Sequence, residues 1–82
     1  MGEQERLQKL VKIESDISEL KSESQGYQAR ISKLREAFPK ESYDLSKATE
    51  IAQELSFVSQ KQRMIDIKID LLEQAKKKIV SV

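Results

Sequence analysis

Residues 51–72 read IAQELSFVSQKQRMIDIKIDLL. Within this stretch Ile51, Leu55, Val58, Gln62, Ile65, Ile69 and Leu72 follow one another in alternating steps of four and three. Those steps hold a narrow stripe on one side of an α-helix and are the seam pattern of helices packed side by side. The stripe extends back to Ala48 and forward through Lys76 to Ile79. A second stripe occupies the first half of the chain: Leu10, Ile13, Ile17, Leu20, Ser24, Tyr27, Ile31, Leu34 and Phe38. Pro39 separates the two. A proline disfavours helical geometry at the residue before it and supplies no backbone donor. The reading is an all-α chain, an antiparallel two-helix hairpin of coiled-coil type: one domain over 1–82, a helix over about 3–38, a turn over about 39–43 and a helix over about 44–79.

The two stripes test each other, because opposed residues in an antiparallel hairpin have numbers that add to a near-constant. Leu34 falls opposite Ile51, Ile31 opposite Leu55, Tyr27 opposite Val58, Leu20 opposite Ile65, Ile17 opposite Ile69 and Ile13 opposite Leu72, every pair adding to 85 or 86. In the same register Ser24 meets Gln62, the one polar seam position in the middle of each helix. Such a layer fixes register at some cost in stability. Ser42, Asp44 or Ser46 can each cap the second helix, with Asp44 preferred. Gly26, in the run Ser22-Glu23-Ser24-Gln25-Gly26, marks the weakest helical stretch. A break there would make a three-helix bundle; the unbroken heptad phase across Gly26 favours one continuous helix.

The second helix carries more apolar side chains than one seam can cover. Phe57, Met64 and Leu71 recur every seven residues outside the stripe, with Ile67 and Ala75 extending the patch; Leu7 and Val11 widen the first helix near its start. Exposed apolar strips of this kind mark interaction surfaces. A two-helix hairpin also buries little, and two copies pairing into a four-helix bundle would cover more. Phe57, Met64, Ile67, Leu71, Leu7 and Val11 are therefore the expected protein-binding residues, with Ser24 and Gln62 as the register-setting layer. The partner is either another protein or a second copy.

Composition narrows the chemistry. The 82 residues contain neither cysteine nor histidine, which removes disulfides, the usual zinc sites, thiol nucleophiles and imidazole acid–base catalysis. There is no glycine-rich phosphate loop and no nucleophile elbow. Asp66 with Asp70, and Glu50 with Glu54, lie one turn apart and read as solvated surface carboxylates rather than cation ligands. The chain is read as non-enzymatic, with no cofactor and no metal. Fifteen basic against fourteen acidic residues leave a net charge of +1, so bulk electrostatics do not favour nucleic acid or anionic membrane. Lys61, Arg63, Lys68, Lys76, Lys77 and Lys78 make the second helix mildly basic, but acids intersperse them and no aromatic platform accompanies them. A peripheral membrane or nucleic-acid adaptor working through the basic C-terminal end is the reading of a second class; Lys76–Lys78 otherwise complement the helix dipole. No stretch approaches the roughly 20 apolar residues of a membrane span, and the charged start lacks a signal-peptide core, so a cytoplasmic location is expected.

The run Glu41-Ser42-Tyr43-Asp44, followed by Glu54-Leu55-Ser56-Phe57-Val58, resembles the acidic–aromatic–acidic helix start and the apolar core of the C-terminal domain of iron–sulfur J-type co-chaperones (HscB-type). Leu7 to Glu19 resembles that domain's leading helix, with Leu7, Val11, Ile13 and Ile17 apolar and Asp16 and Glu19 acidic. The resemblance implies a helical bundle that binds a cluster-scaffold protein, with Leu7, Val11 and Phe57 as contacts. The chain departs from the family in having no J-domain with a His-Pro-Asp motif and in the short distance between its matching segments.

Overall fold

A computed structural model describes residues 2–41 and 44–81, without the side chains of residues 41 and 81. Two helices account for all of these residues but Asp44, α1 over Gly2–Glu41 and α2 over Leu45–Ser81, and no strand occurs among them. They fold back on each other as a rod of 64 × 14 × 14 Å. That length is what a continuous helix of 40 residues spans at about 1.5 Å per residue. α1 therefore runs through Gly26 without a break, and the three-helix alternative is not the fold adopted. A Cβ placed on Gly26 would meet nothing within 4 Å. The glycine serves no close approach, and the heptad contacts on either side of it keep the helix continuous.

The expected helix end is corrected by three residues. α1 continues past Phe38 and contains Pro39, ending at Glu41. Proline here withholds one donor from the Arg35 carbonyl, but only the last residues of the helix follow it, so a single exposed bond is lost rather than a ladder. Ser42 and Tyr43, the last two residues of the expected turn, lie outside the described residues. α2 then starts at Leu45 and extends to Ser81, two residues beyond the expected end. Asp44 is its cap: one carboxylate oxygen accepts from the backbone N–H of Ser46 at 3.0 Å and of Lys47 at 3.4 Å, and the Asp44 carbonyl accepts from the N–H of Ala48 at 2.9 Å.

The core is a single seam. Ile17, Leu34, Ile51, Val58 and Ile65 are buried, as is Ser24. Leu34, Ile51 and Val58 form a cluster against which Tyr27, Ile31, Ala37 and Leu55 pack. All but Ala37 belong to the pairs expected from the two stripes; near the turn Ala37 packs into the cluster, whereas Phe38, expected on the seam, is 40% exposed. Ser24 and Gln62 meet as well: Gln62 Nε2 donates to Ser24 Oγ at 2.5 Å and to Asp66 Oδ1 at 3.2 Å. Gln62 Oε1 is buried with no hydrogen-bond partner among the described residues, so the polar layer is only partly satisfied there.

Polar contacts between the helices repeat the register along the rod. Arg6 Nη2 donates to the Val80 carbonyl at 3.1 Å, Lys76 pairs with Glu14 at 3.3 Å and Lys21 with Glu73 at 3.8 Å. Nearer the turn Arg30 Nε donates to Glu54 Oε1 at 2.7 Å, and its Nη2 reaches the same oxygen. All are solvent-exposed, so each contributes about 1 kcal/mol or less. Apolar burial holds the hairpin closed, and the ion pairs trim its alignment.

A candidate protein-docking surface on the second helix

The ion pairs define the two flanks of the hairpin. Lys21 and Glu73 meet across one, Arg30 and Glu54 across the other. Residues seven apart share a flank. Lys61 and Lys68, one and two heptads beyond Glu54, therefore stand on the Arg30–Glu54 side. So do Glu23 and Asp16, one and two heptads before Arg30. Phe57, Met64 and Leu71 lie one row further round α2, about 130° from its seam at 100° per residue, and Ile67 points almost directly away from α1.

All four are open to solvent. Phe57 is 60% exposed, Met64 54%, Ile67 48% and Leu71 59%. From Phe57 to Leu71 the row measures about 21 Å along the helix. Their exposure follows from the seam: a helix with one partner buries one face, and these residues sit on another. Lys61 folds its ammonium over the Phe57 ring, 5.3 Å from the centroid, and covers one end of the strip with a cation on an aromatic face. At the other end, Leu71 joins Leu20 and Leu72 in a groove of about 410 Å³ between the helices, rimmed by Asp16, Glu19, Glu23 and Lys68. The acidic rim was not among the residues singled out from sequence as a site. Its signal was available in the heptad positions of Asp16 and Glu23, which face Lys68 and Lys61 as Arg30 faces Glu54.

Leu7 and Val11 are exposed too, at 56% and 67%. The structure does not bring them together with the α2 strip. Leu7 lies two heptads before Lys21 and so belongs to the Lys21–Glu73 flank, and Val11 is one row further out on α1. They line a shallow groove with Gln8, Lys12, Ser15, Asp16 and Glu19. The six residues expected to bind protein thus fall in two patches, the larger one on α2, and Asp16 and Glu19 line the grooves beside both.

The lysines near the C-terminus border a third opening of about 1150 Å³ at the free end of the hairpin, where Ile17 and Val80 supply apolar wall. Glu14 and Glu73 line it as well and pair with Lys76 and Lys21, so its charge is mixed. Among the described residues no group of three acidic, histidine or cysteine side chains is placed to hold a metal ion. Asp66 and Asp70 instead accept from Gln62 and Gln74, each at 3.2 Å. Among the described residues no helix is long and apolar enough to cross a membrane.

Against known proteins, no family model, no curated sequence and no solved structure matches the chain.

Proposed function

We propose that the chain is a non-enzymatic protein-interaction module that acts in the cytoplasm and binds through the outer strip of α2. The observation that carries this reading is the row Phe57, Met64, Leu71 with Ile67, four large apolar side chains about half or more exposed on one continuous helix. Water contact there is unfavourable by roughly 25 cal/mol per Å² of apolar surface, and a docked helix removes it. Phe57 and Leu71 are the anchors, and Lys61 and Lys68 lie at the rim, where charge orients a partner more than it holds one.

A co-chaperone that seizes one client is a special case of this function. In that case Phe57 contacts the client from the α2 strip, while Leu7 and Val11 contact it if it continues round α1 past Asp16 and Glu19. The adaptor reading through Lys76, Lys77 and Lys78 draws less support, since the ion pairs of the free end already offset part of its charge.

The test is capture by the immobilised full chain from a cell extract, comparing wild type, Leu71→Asp, and Glu14→Ala as a control away from the strip. The expected result is a stoichiometric associate, the chain itself included, that Leu71→Asp loses and Glu14→Ala keeps, with helicity unchanged in both. An associate held equally well by Leu71→Asp overturns the reading. One released from wild type by moderate salt, yet indifferent to Leu71→Asp, points to the basic end instead.

A further inference from the structure

The row containing the strip continues at both ends in charged residues. At steps of seven, α2 presents Glu50, Phe57, Met64, Leu71 and Lys78, all of them exposed on one helix. Read backwards, the order acid, apolar, apolar, apolar, base becomes base, apolar, apolar, apolar, acid. A row of that kind is complementary to itself when reversed.

Resting on the docking function proposed above, we infer that the occupant of the strip is a second copy of this chain, with its α2 antiparallel to the first and the two-fold axis passing beside Met64. Met64 then packs on its own equivalent. Phe57 of each copy packs on Leu71 of the other, about 10.5 Å to either side of the axis. Glu50 of each copy comes level with Lys78 of the other about 21 Å from the axis, so opposite charges face each other at each end of the apolar row, Lys78 also bordering the free-end opening of its own chain. A parallel pair would set Glu50 against Glu50 and Lys78 against Lys78, and like charges reject that orientation.

The flanking residues accommodate the same axis. Ile67 falls beside Gln60 of the second copy, whose aliphatic stem it can cover, and Gln53 falls beside Gln74, an amide against an amide. Lys61 approaches Lys68 of the second copy; Glu23 and Asp16, the latter also paired with Lys12 at 3.7 Å, stand across the hairpin from these lysines and offset part of the repulsion. From their fractional exposures the four apolar side chains present at most roughly 450 Å² per chain, so two copies contribute up to about 900 Å², and the polar rims have to supply the rest of the roughly 1,200 Å² at the lower end of specific interfaces. The assembly is elongated, in the order α1, α2, α2, α1, because the strip faces away from α1. It differs from the square four-helix bundle, in which each helix would turn an apolar face about 90° from its seam toward a second neighbour.

Sedimentation equilibrium of the full chain over a concentration series tests the inference, with circular dichroism confirming that each variant remains helical. The wild type is expected to show a monomer–dimer equilibrium that Met64→Asp abolishes. Glu50→Lys and Lys78→Glu are each expected to weaken dimerisation about fivefold or more, since each places two like-charged pairs at the ends of the row. The double variant restores both pairs in reversed sense and should return to near the wild-type constant. A wild type that stays monomeric at every concentration overturns the inference. If Leu71→Asp nonetheless loses a captured protein, the docking function survives that failure. A dimer indifferent to Met64→Asp overturns the second copy as occupant of the strip, and a double variant no tighter than either single one overturns the antiparallel register.

Discussion

Replacing the polar layer by apolar residues, Ser24→Ala together with Gln62→Leu, is expected to stabilise the hairpin, although each substitution alone does not. Ser24→Ala removes the acceptor that Gln62 Nε2 reaches at 2.5 Å and Gln28 Nε2 at 3.5 Å. The Gln62 amide keeps Asp66, its Oε1 stays orphaned, and the loss of one net hydrogen bond costs about 1 kcal/mol. Gln62→Leu alone removes that buried orphan, a relief of about 1–3 kcal/mol, but strands the Ser24 hydroxyl against Gln28 only, so the two effects nearly cancel. With both changed, no buried polar group is left unpaired, and the seam gains a leucine between Val58 and Ile65. The net expectation is a gain of about 1–2 kcal/mol. An 82-residue chain unfolds with an entropy of roughly 0.17 kcal/mol/K, so 1 kcal/mol corresponds to about 6 °C in the midpoint. The double variant should therefore melt about 6–12 °C above wild type and Ser24→Ala about 6 °C below it. Thermal unfolding followed by circular dichroism at one fixed protein concentration measures all four members of the cycle, the fixed concentration being needed because self-association raises the midpoint. A double variant that melts below wild type refutes the reasoning, for it would mean that the Ser24–Gln62 layer contributes more than its orphaned oxygen costs.

Two further outcomes test the helices. Gly26→Ala is expected to raise stability by about 1 kcal/mol, because the added Cβ meets no atom and alanine is the better helix former; a lowered thermal midpoint would contradict a continuous α1. Asp44→Ala is expected to cost about 1 kcal/mol, through the loss of the carboxylate that accepts from Ser46 and Lys47, with Asp44→Asn recovering most of it; equal midpoints for Asp44→Ala and wild type would remove Asp44 as the cap of α2.

By itself the sequence determined the seam. Steps of three and four place Ile17, Leu34, Ile51, Val58 and Ile65 on facing stripes, and antiparallel closure across one short turn leaves a single register in which Ser24 can reach Gln62. That inference succeeds because helical period is local: seven residues make nearly two turns wherever they occur, so apolar spacing reports directly which side of each helix is covered. The exposure of Phe57, Met64, Ile67 and Leu71 was legible for the same reason, as apolar residues off the stripe.

Tertiary structure decided what period alone does not express. It selected Asp44 among three possible caps and carried α1 through Pro39, because the competition at a helix end turns on single hydrogen bonds. It kept α1 whole at Gly26, where weak local propensity yields to the contacts α2 makes on either side. It also separated Leu7 and Val11 from the α2 strip, onto opposite flanks. Apolar residues on different helices share a surface only if the helices present the same flank, and that relation comes from packing one helix against the other, as the Lys21–Glu73 and Arg30–Glu54 pairs record.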